Sequence, residues 1–358
     1  MIYRNKGLTV VVLLAFLVSG LFVCGTASDL ENITFKLNWI PGGDHTPYFV
    51  AKEKGFYEEE GLKVKIERGR GSADTVKRVE LGTVDVGLAD TGTLAVSRSE
   101  GAKVKVVAMI YNRSPNAIFT VKGSGIETPK DLEGKKVGVP PGDAQRILFP
   151  ALAAANDIDQ DKVRLINIKP GAKASALGAG RVDAVFNWTA GNVTYWEAGI
   201  DPDDVVGIMW ANWGVNPYGN AILASDKAIQ KRPETLKKFL RASMRAFQWS
   251  YKHPHEAVDI FTDYNTEVPR IAALIRFVND AQKLISTKAV ENHVIGWIDH
   301  ERMQHTVNLI NKYFEVEEEI TAKEMYTREL LPYYSLPSLE KLPALESLRE
   351  EWEAESEE

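Results

Sequence analysis

Between residues 33 and 225, short apolar runs rich in β-branched residues alternate with longer stretches whose apolar positions recur every three or four residues. The short runs at 33–39, 63–68, 84–89, 104–110, 136–139, 163–168, 182–186 and 220–224 read as strands. Helix-like segments lie between them, among them one from about 47 to 60 that opens near Pro47 and stops at Gly61. Such alternation predicts βαβ units and parallel sheets. Past Pro233 the pattern turns helical. Leu236, Phe239, Leu240, Met244, Phe247 and Tyr251 share one face of a segment over 234–252, and further helical stretches cover 256–264, 268–286 and 300–313. The chain begins α/β and ends mostly α.

An internal echo runs through the first part. Gly82-Thr-Val-Asp-Val-Gly-Leu-Ala-Asp90 resembles Gly180-Arg-Val-Asp-Ala-Val-Phe-Asn-Trp188. Each reads as a helix end, a glycine turn, Val-Asp and a strand closing on a polar or aromatic residue, which predicts two similar lobes.

The other end of the chain has a different character. Arg4 and Lys6 precede a nearly unbroken apolar run over 7–23, followed by Cys24-Gly25-Thr26-Ala27. That is the layout of a secretory signal peptide over 1–27, so an exported protein is expected on the periplasmic or outer side of the membrane. Cleavage after Ala27 gives a soluble product; acylation at Cys24 would give a lipid anchor instead, although Val23 is large for that route. Cys24 is the only cysteine, so no internal disulfide is available and stability must come from the core. The remaining chain of about 330 residues suffices for two compact domains. A formal charge of −6 offers nothing to nucleic acid or an anionic membrane surface. The acidic end, about 336–358, reads as a solvated helix or, less directly, a partner-binding tail.

Catalytic signatures are missing. There is no Gly-x-Ser-x-Gly, no His-Glu-x-x-His and no phosphate loop, and His253 and His255 flank Pro254 without a third metal ligand. Neither a metal, a cofactor nor an enzyme is expected.

Several stretches in fixed order resemble the periplasmic solute-binding family that includes thiamine-pyrimidine, sulfonate and nitrate binding proteins of ABC importers. They are Leu37-x-Trp39-x-Pro41, His45-x-Pro47-Tyr48-Phe49-x-Ala51, Gly55-Phe56-Tyr57, Glu60-Gly61-Leu62 and Leu81-Gly82-x-Val84-Asp85-Val86-Gly87. Later come Gly142-Asp143-Ala144-Gln145-Arg146, Lys173-Ala174-x-Ala176-Leu177, Gly180-Arg181-Val182-Asp183-Ala184, Arg232-Pro233-Glu234 and Pro254-His255-Glu256-Ala257-Val258. The resemblance spans roughly 33–312. It implies a two-lobed periplasmic-binding-protein type 2 fold, with 33–117 and 220–335 in one lobe, 118–219 in the other, and crossings near 117–120 and 218–221. Ligand would be captured between the lobes by hinge closure and handed to a membrane permease by a monomeric protein. A cytosolic eukaryotic branch of the family instead makes the thiamine pyrimidine from its own histidine and pyridoxal phosphate. That branch carries a cysteine-rich motif, which is lacking here after Cys24.

Site candidates sit where strands end and helices begin, the usual ligand position in α/β sheets. Trp39 can stack on a planar ring or lie in the core, while Asp44 and His45 can hydrogen-bond a ligand from the turn that follows. Tyr48 faces cleft or core. Asp90 and Asp143 each open a helix, either as N-caps or as ligand contacts. Ser72 follows a basic turn that reads first as solvated, with its hydroxyl on offer to an anion as the other reading. In the second lobe Asn187 and Trp188 end the echo strand, and Glu197 can accept from the two-donor edge of an aminopyrimidine. Trp213 and Tyr218, near the second crossing, can close over a ligand. The aromatic content favours a planar heterocycle such as a thiamine pyrimidine precursor; a sulfonate- or nitrate-type anion and a flavin are the alternatives.

Overall fold

The computed structural model describes Met1 and residues 30–189, 193–316 and 319–357. The apolar leader and Cys24 lie outside the described residues. Among the described residues no helix is long and apolar enough to cross a membrane.

Among the described residues, ten strands form two five-stranded sheets of the same design. They are β1 (Glu31–Lys36), β2 (Leu62–Glu67), β3 (Val86–Asp90), β4 (Val104–Met109), β5 (Asn116–Val121), β6 (Lys136–Val139), β7 (Arg164–Asn167), β8 (Ala184–Trp188), β9 (Val205–Met209) and β10 (Asn220–Ser225). One sheet runs β2-β1-β3-β10-β4 and the other β7-β6-β8-β5-β9. In each, one strand that arrives from elsewhere in the chain lies antiparallel to its neighbours: β10 between β3 and β4, and β5 between β8 and β9. The chain thus passes between the sheets twice, which defines a two-lobed α/β molecule. The echo falls on β3 and β8, equivalent central strands. β3 is buried at every position, as a strand covered on both faces must be.

All eight expected strands form, each shifted by three residues or fewer at either end. Two more were not foreseen. β5 occupies the stretch expected to be a crossing, and β9 is a short run behind an Asp-Pro turn. Both pair antiparallel with strands distant in sequence, so neither announces itself by local alternation. The helix expected over 47–60 is broken: it runs Thr46–Glu53, passes through Gly55 at φ +71° and resumes at Phe56–Glu59. The helix expected over 268–286 is Arg270–Asp280 continued by a π turn at Ala281–Ile285.

The acidic end differs most from expectation. Its helix, Leu345–Glu357, is no solvated tail. Leu345, Leu348 and Trp352 fall on one face, and Leu348 is 2 % exposed in the core of the first lobe, beside the Arg270–Asp280 helix. The other flank reaches the second lobe. Trp352 meets Trp196 at 5.2 Å between ring centroids, and Arg349 Nη2 lies 3.1 Å from Asp203 Oδ1. Glutamates occupy the outer face, so composition alone hides the apolar stripe. Leu348→Ala should lower the unfolding free energy by about 2–4 kcal/mol, read from the denaturant midpoint. A loss below about 0.5 kcal/mol would mean that this helix is not part of the cooperative core.

Candidate functional site

Between the lobes lies a cavity of about 200 Å³. Its wall from the first lobe is built by the loop after β1. Gly69 N–H donates to Trp39 O at 2.8 Å and Gly71 N–H to Asn38 O at 2.9 Å, so the loop after β2 pins the backbone on which Asn38 and Trp39 stand. His45 then orients Asn38. Its Nδ1 accepts from Gly42 N–H at 3.1 Å, which leaves Nε2 as the donor to Asn38 Oδ1 at 3.0 Å. Burial pushes the imidazole below its usual range despite the nearby Asp44, so the ring is neutral. With its oxygen held, Asn38 keeps its amide nitrogen for the cavity.

The same loop rests on the Arg270–Asp280 helix. A Cβ at Gly43 would sit 1.9 Å from Ala273 O, so only glycine allows this approach. The contact carries a buried ion pair, in which Arg276 Nε lies 2.8 Å from Asp44 Oδ1, close but not aligned as a hydrogen bond. Behind it Tyr111 donates to Asp280 Oδ2 at 2.6 Å. Burial and the Asp44 charge hold the Asp280 carboxyl well above the ordinary carboxylate range.

The second lobe supplies the opposite wall. Asp143 caps the Ala144–Ala155 helix through Gln145 N–H and pairs with Lys173 Nζ at 2.5 Å. Both are nearly fully buried. Lys173 also sits 4.8 Å from the centroid of the Trp39 ring, a cation–π contact across the lobes. Asn187 donates to Tyr195 OH at 2.9 Å, and Trp188 meets Tyr111 of the other lobe edge-on at 5.9 Å. Glu197 stands open at the cavity edge, its carboxyl raised by the surrounding walls and lowered in part by Arg276. The lobes touch directly at Ala73 N–H, which donates to Gly142 O at 3.4 Å. Beside it, a Cβ on Gly71 would come within 2.4 Å of the same oxygen.

Of the residues singled out by sequence, Trp39, Asp143, Asn187, Trp188 and Glu197 line the cavity, as does Ser72. Others lie behind it. Asp44 and His45 are buried supports of Arg276 and Asn38, because the glycine turn folds inward onto the helix. Tyr48 is a core ring packed on Phe35 and Phe247. Asp90 is an N-cap whose Oδ1 accepts from Thr93 N–H at 2.8 Å. Trp213 packs on the second-lobe core, where its carbonyl accepts from Asn156. Tyr218 is buried, its N–H donating to Thr306 Oγ1 and its hydroxyl accepting from Asp299 N–H. Asn38, Lys173 and Arg276 line the cavity without having been foreseen. Asn38 adjoins Trp39 and was within reach of sequence reasoning. Arg276 looks like any helix arginine until the fold turns it inward.

Two lobes flanking a cavity lined by aromatics and a few placed polar groups fit the substrate-binding-protein class. The family description "NMT1/THI5 like" matches residues 43–257, and the chain belongs to that family. It is similar to the formylaminopyrimidine-binding protein of Halalkalibacterium halodurans, with 26% identity over 321 residues, 88% of this chain and 96% of the relative. It is also similar to the riboflavin-binding protein RibY of Chloroflexus aurantiacus, with 23% identity covering 85% of this chain and 87% of that one. Relatives named as 4-amino-5-hydroxymethyl-2-methylpyrimidine phosphate synthases match as well. Among solved structures, the alkanesulfonate-binding protein SsuA of Xanthomonas axonopodis pv. citri superposes with a TM-score of 0.64 at 13% identity, over 83% of this chain and 98% of that one. That likeness shows the fold, a periplasmic-binding-protein fold as expected.

Burial pushes the Asp90 carboxyl up to about 6, with Thr93 opposing and Asp143 adding to the rise. The folded state therefore holds this proton more tightly than the unfolded chain. Its contribution falls as pH rises from about 4 to about 6 and stays unfavourable above. Asp90→Asn retains a capping oxygen and removes the titration. Relative to the wild type it should gain up to about 3 kcal/mol in unfolding free energy between about pH 4 and pH 8. Parallel pH profiles for the two proteins would contradict the assignment.

Proposed function

We propose that this protein is the extracytoplasmic binding protein of an ABC importer and captures a small planar amino-heterocycle of the thiamine-pyrimidine class between its lobes. The balance of charge in the cavity supports this reading most. Each cation on its wall faces a buried carboxylate, Arg276 with Asp44 and Lys173 with Asp143. Glu197 and Glu267, both exposed, add negative charge with no cation to match. An anionic sulfonate or nitrate would meet cations whose charge is already balanced, with Glu197 and Glu267 opposing it, whereas a ring bearing amino groups meets acceptors. Trp39 supplies an aromatic face and Glu197 an acceptor for the amino edge, with Asn38, Asn187 and Trp188 around the ring.

Size points the same way. A cavity of roughly 150 Å³ accommodates benzene. About 200 Å³ therefore suits one substituted ring, is generous for nitrate and is tight for the three fused rings of a flavin. Export through the 1–27 leader and delivery to a membrane permease by a monomeric protein belong to this proposal. The absence of cysteine after Cys24 sets the chain apart from the synthase branch with its cysteine-rich motif.

Calorimetry of the purified protein against aminopyrimidines, riboflavin, taurine and nitrate tests the reading. Saturable binding of an aminopyrimidine is expected, together with a rise in Tm. Stabilisation by taurine or nitrate alone would overturn it. Trp39→Ala should weaken the ring ligand by at least about tenfold, and unchanged affinity would remove Trp39 from the site.

A further inference from the structure

The C-terminal helix, Leu345–Glu357, lies beside a seam at which one cavity wall meets the other. On the second lobe that seam is the Val193–Glu197 helix, which brings Glu197 to the cavity. On the first it is the Arg270–Asp280 helix, which brings Arg276. These two helices pack on each other, and the C-terminal helix packs on the first-lobe one. Its anchorage is to the first lobe. Leu342 and Leu348 are buried in that lobe's core. The segment leading to the helix is laid along the same lobe, where Ile295 N–H donates to Tyr334 O at 2.7 Å and Gln248 Nε2 to Ser335 O at 3.0 Å. Two side chains then reach across to the second lobe. Trp352 meets Trp196 at 5.2 Å between ring centroids, and the Arg349 guanidinium stands 5.9 Å from the same ring. Glu353 accepts from Arg349 Nε at 2.7 Å, while Nη2 donates to Asp203 Oδ1 at 3.1 Å.

From this arrangement we infer that the C-terminal helix is a strap between the lobes, with Trp352 and Arg349 as positioning residues. They hold the Val193–Glu197 helix against the first lobe, fix Glu197 at the cavity edge and oppose separation of the lobes. Packing on the first lobe accounts for Leu342 and Leu348, whereas the Trp352–Trp196 and Arg349–Asp203 contacts lie at the junction itself. Parting the lobes there would return apolar ring surface to water and break an aromatic pair. The ion pair is largely exposed, so it orients the arginine more than it holds the lobes. By favouring touching lobes before any ligand arrives, the strap raises the apparent affinity for a ligand that bridges both walls, whatever its chemistry. The inference rests on capture between the lobes and not on the heterocycle.

Lobe separation is read without ligand, from the distance distribution between spin labels at Lys63→Cys in the first lobe and Arg181→Cys in the second. Both positions are exposed, and a Cys24→Ser background removes the only native cysteine. The labelled protein should hold its lobes largely together. Trp352→Ala should raise the ratio of separated to touching lobes about 3- to 30-fold, while Trp352→Phe, which keeps a ring, should stay within about threefold of the wild type. Trp196→Ala removes the other half of the contact and should give the same shift, with the double variant no more open than either single one. Circular dichroism checks that each variant is folded. Wild-type lobes that stand apart without ligand would overturn the strap, as would a Trp352→Ala protein that melts lower with its distances unchanged. Either result leaves the ligand reading untouched. Calorimetry that detects no aminopyrimidine binding would sink the heterocycle alone, because no ligand enters the distance measurement.

Discussion

The buried pairing of Asp44 with Arg276 is the interaction on which the cavity depends. It joins the first loop of the chain to a helix from its last third, and so ties together the two sides of the first-lobe wall. Burying two charges is expensive and returns little net stability. What it supplies here is position. The loop is held down at Gly42 and Gly43, so Trp39 and Asn38 project into the cavity from a rigid base. The guanidinium in turn presents its free edge at a defined angle. His45 acts on the same loop, neutral and out of solvent, and orients the Asn38 amide.

Contacts between the lobes include an apolar seam, where Leu148 lies against Gly92, as well as polar and aromatic pairs. Lys173 over Trp39, Trp188 against Tyr111, and Ala73 N–H with Gly142 O hold the walls together. None buries the area of a domain core, and two of them use residues that also face the cavity. These pairs set a balance of contacts between the lobes beside the cavity. The same sheet design recurs in the two lobes, with β3 and β8 as equivalent central strands. The C-terminal helix joins this balance from outside, packed on the Arg270–Asp280 helix and touching Trp196, the neighbour of Glu197.

Much of this was legible along the chain. Eight strands, the amphipathic helices and the helix-capping options of Asp90 and Asp143 follow from interactions within a few residues, and local periodicity reports those directly. Trp39, Asn187, Trp188 and Glu197 were reachable because strand ends in α/β sheets face ligand clefts. Beyond that, pattern is silent. β5 and β9 are strands only because remote partners accept their hydrogen bonds. His45 and Asp44 looked like ligand contacts, yet a glycine turn could fold outward or inward, and only the Ala273 carbonyl beneath Gly43 shows which. The acidic tail concealed an apolar stripe whose binding face belongs to other parts of the chain.

By itself, then, the sequence determined the α/β character, the doubled design and the stretch of chain that would build one wall of the cleft. These rest on local propensity and on the period of apolar positions. Tertiary structure alone decided which polar side chains face the cavity and which brace it, and whether each charge there is free or already matched. The reason is physical. Burial and pairing are properties of what surrounds a residue, and for Arg276, Asp44 and Lys173 those surroundings come from distant parts of the chain.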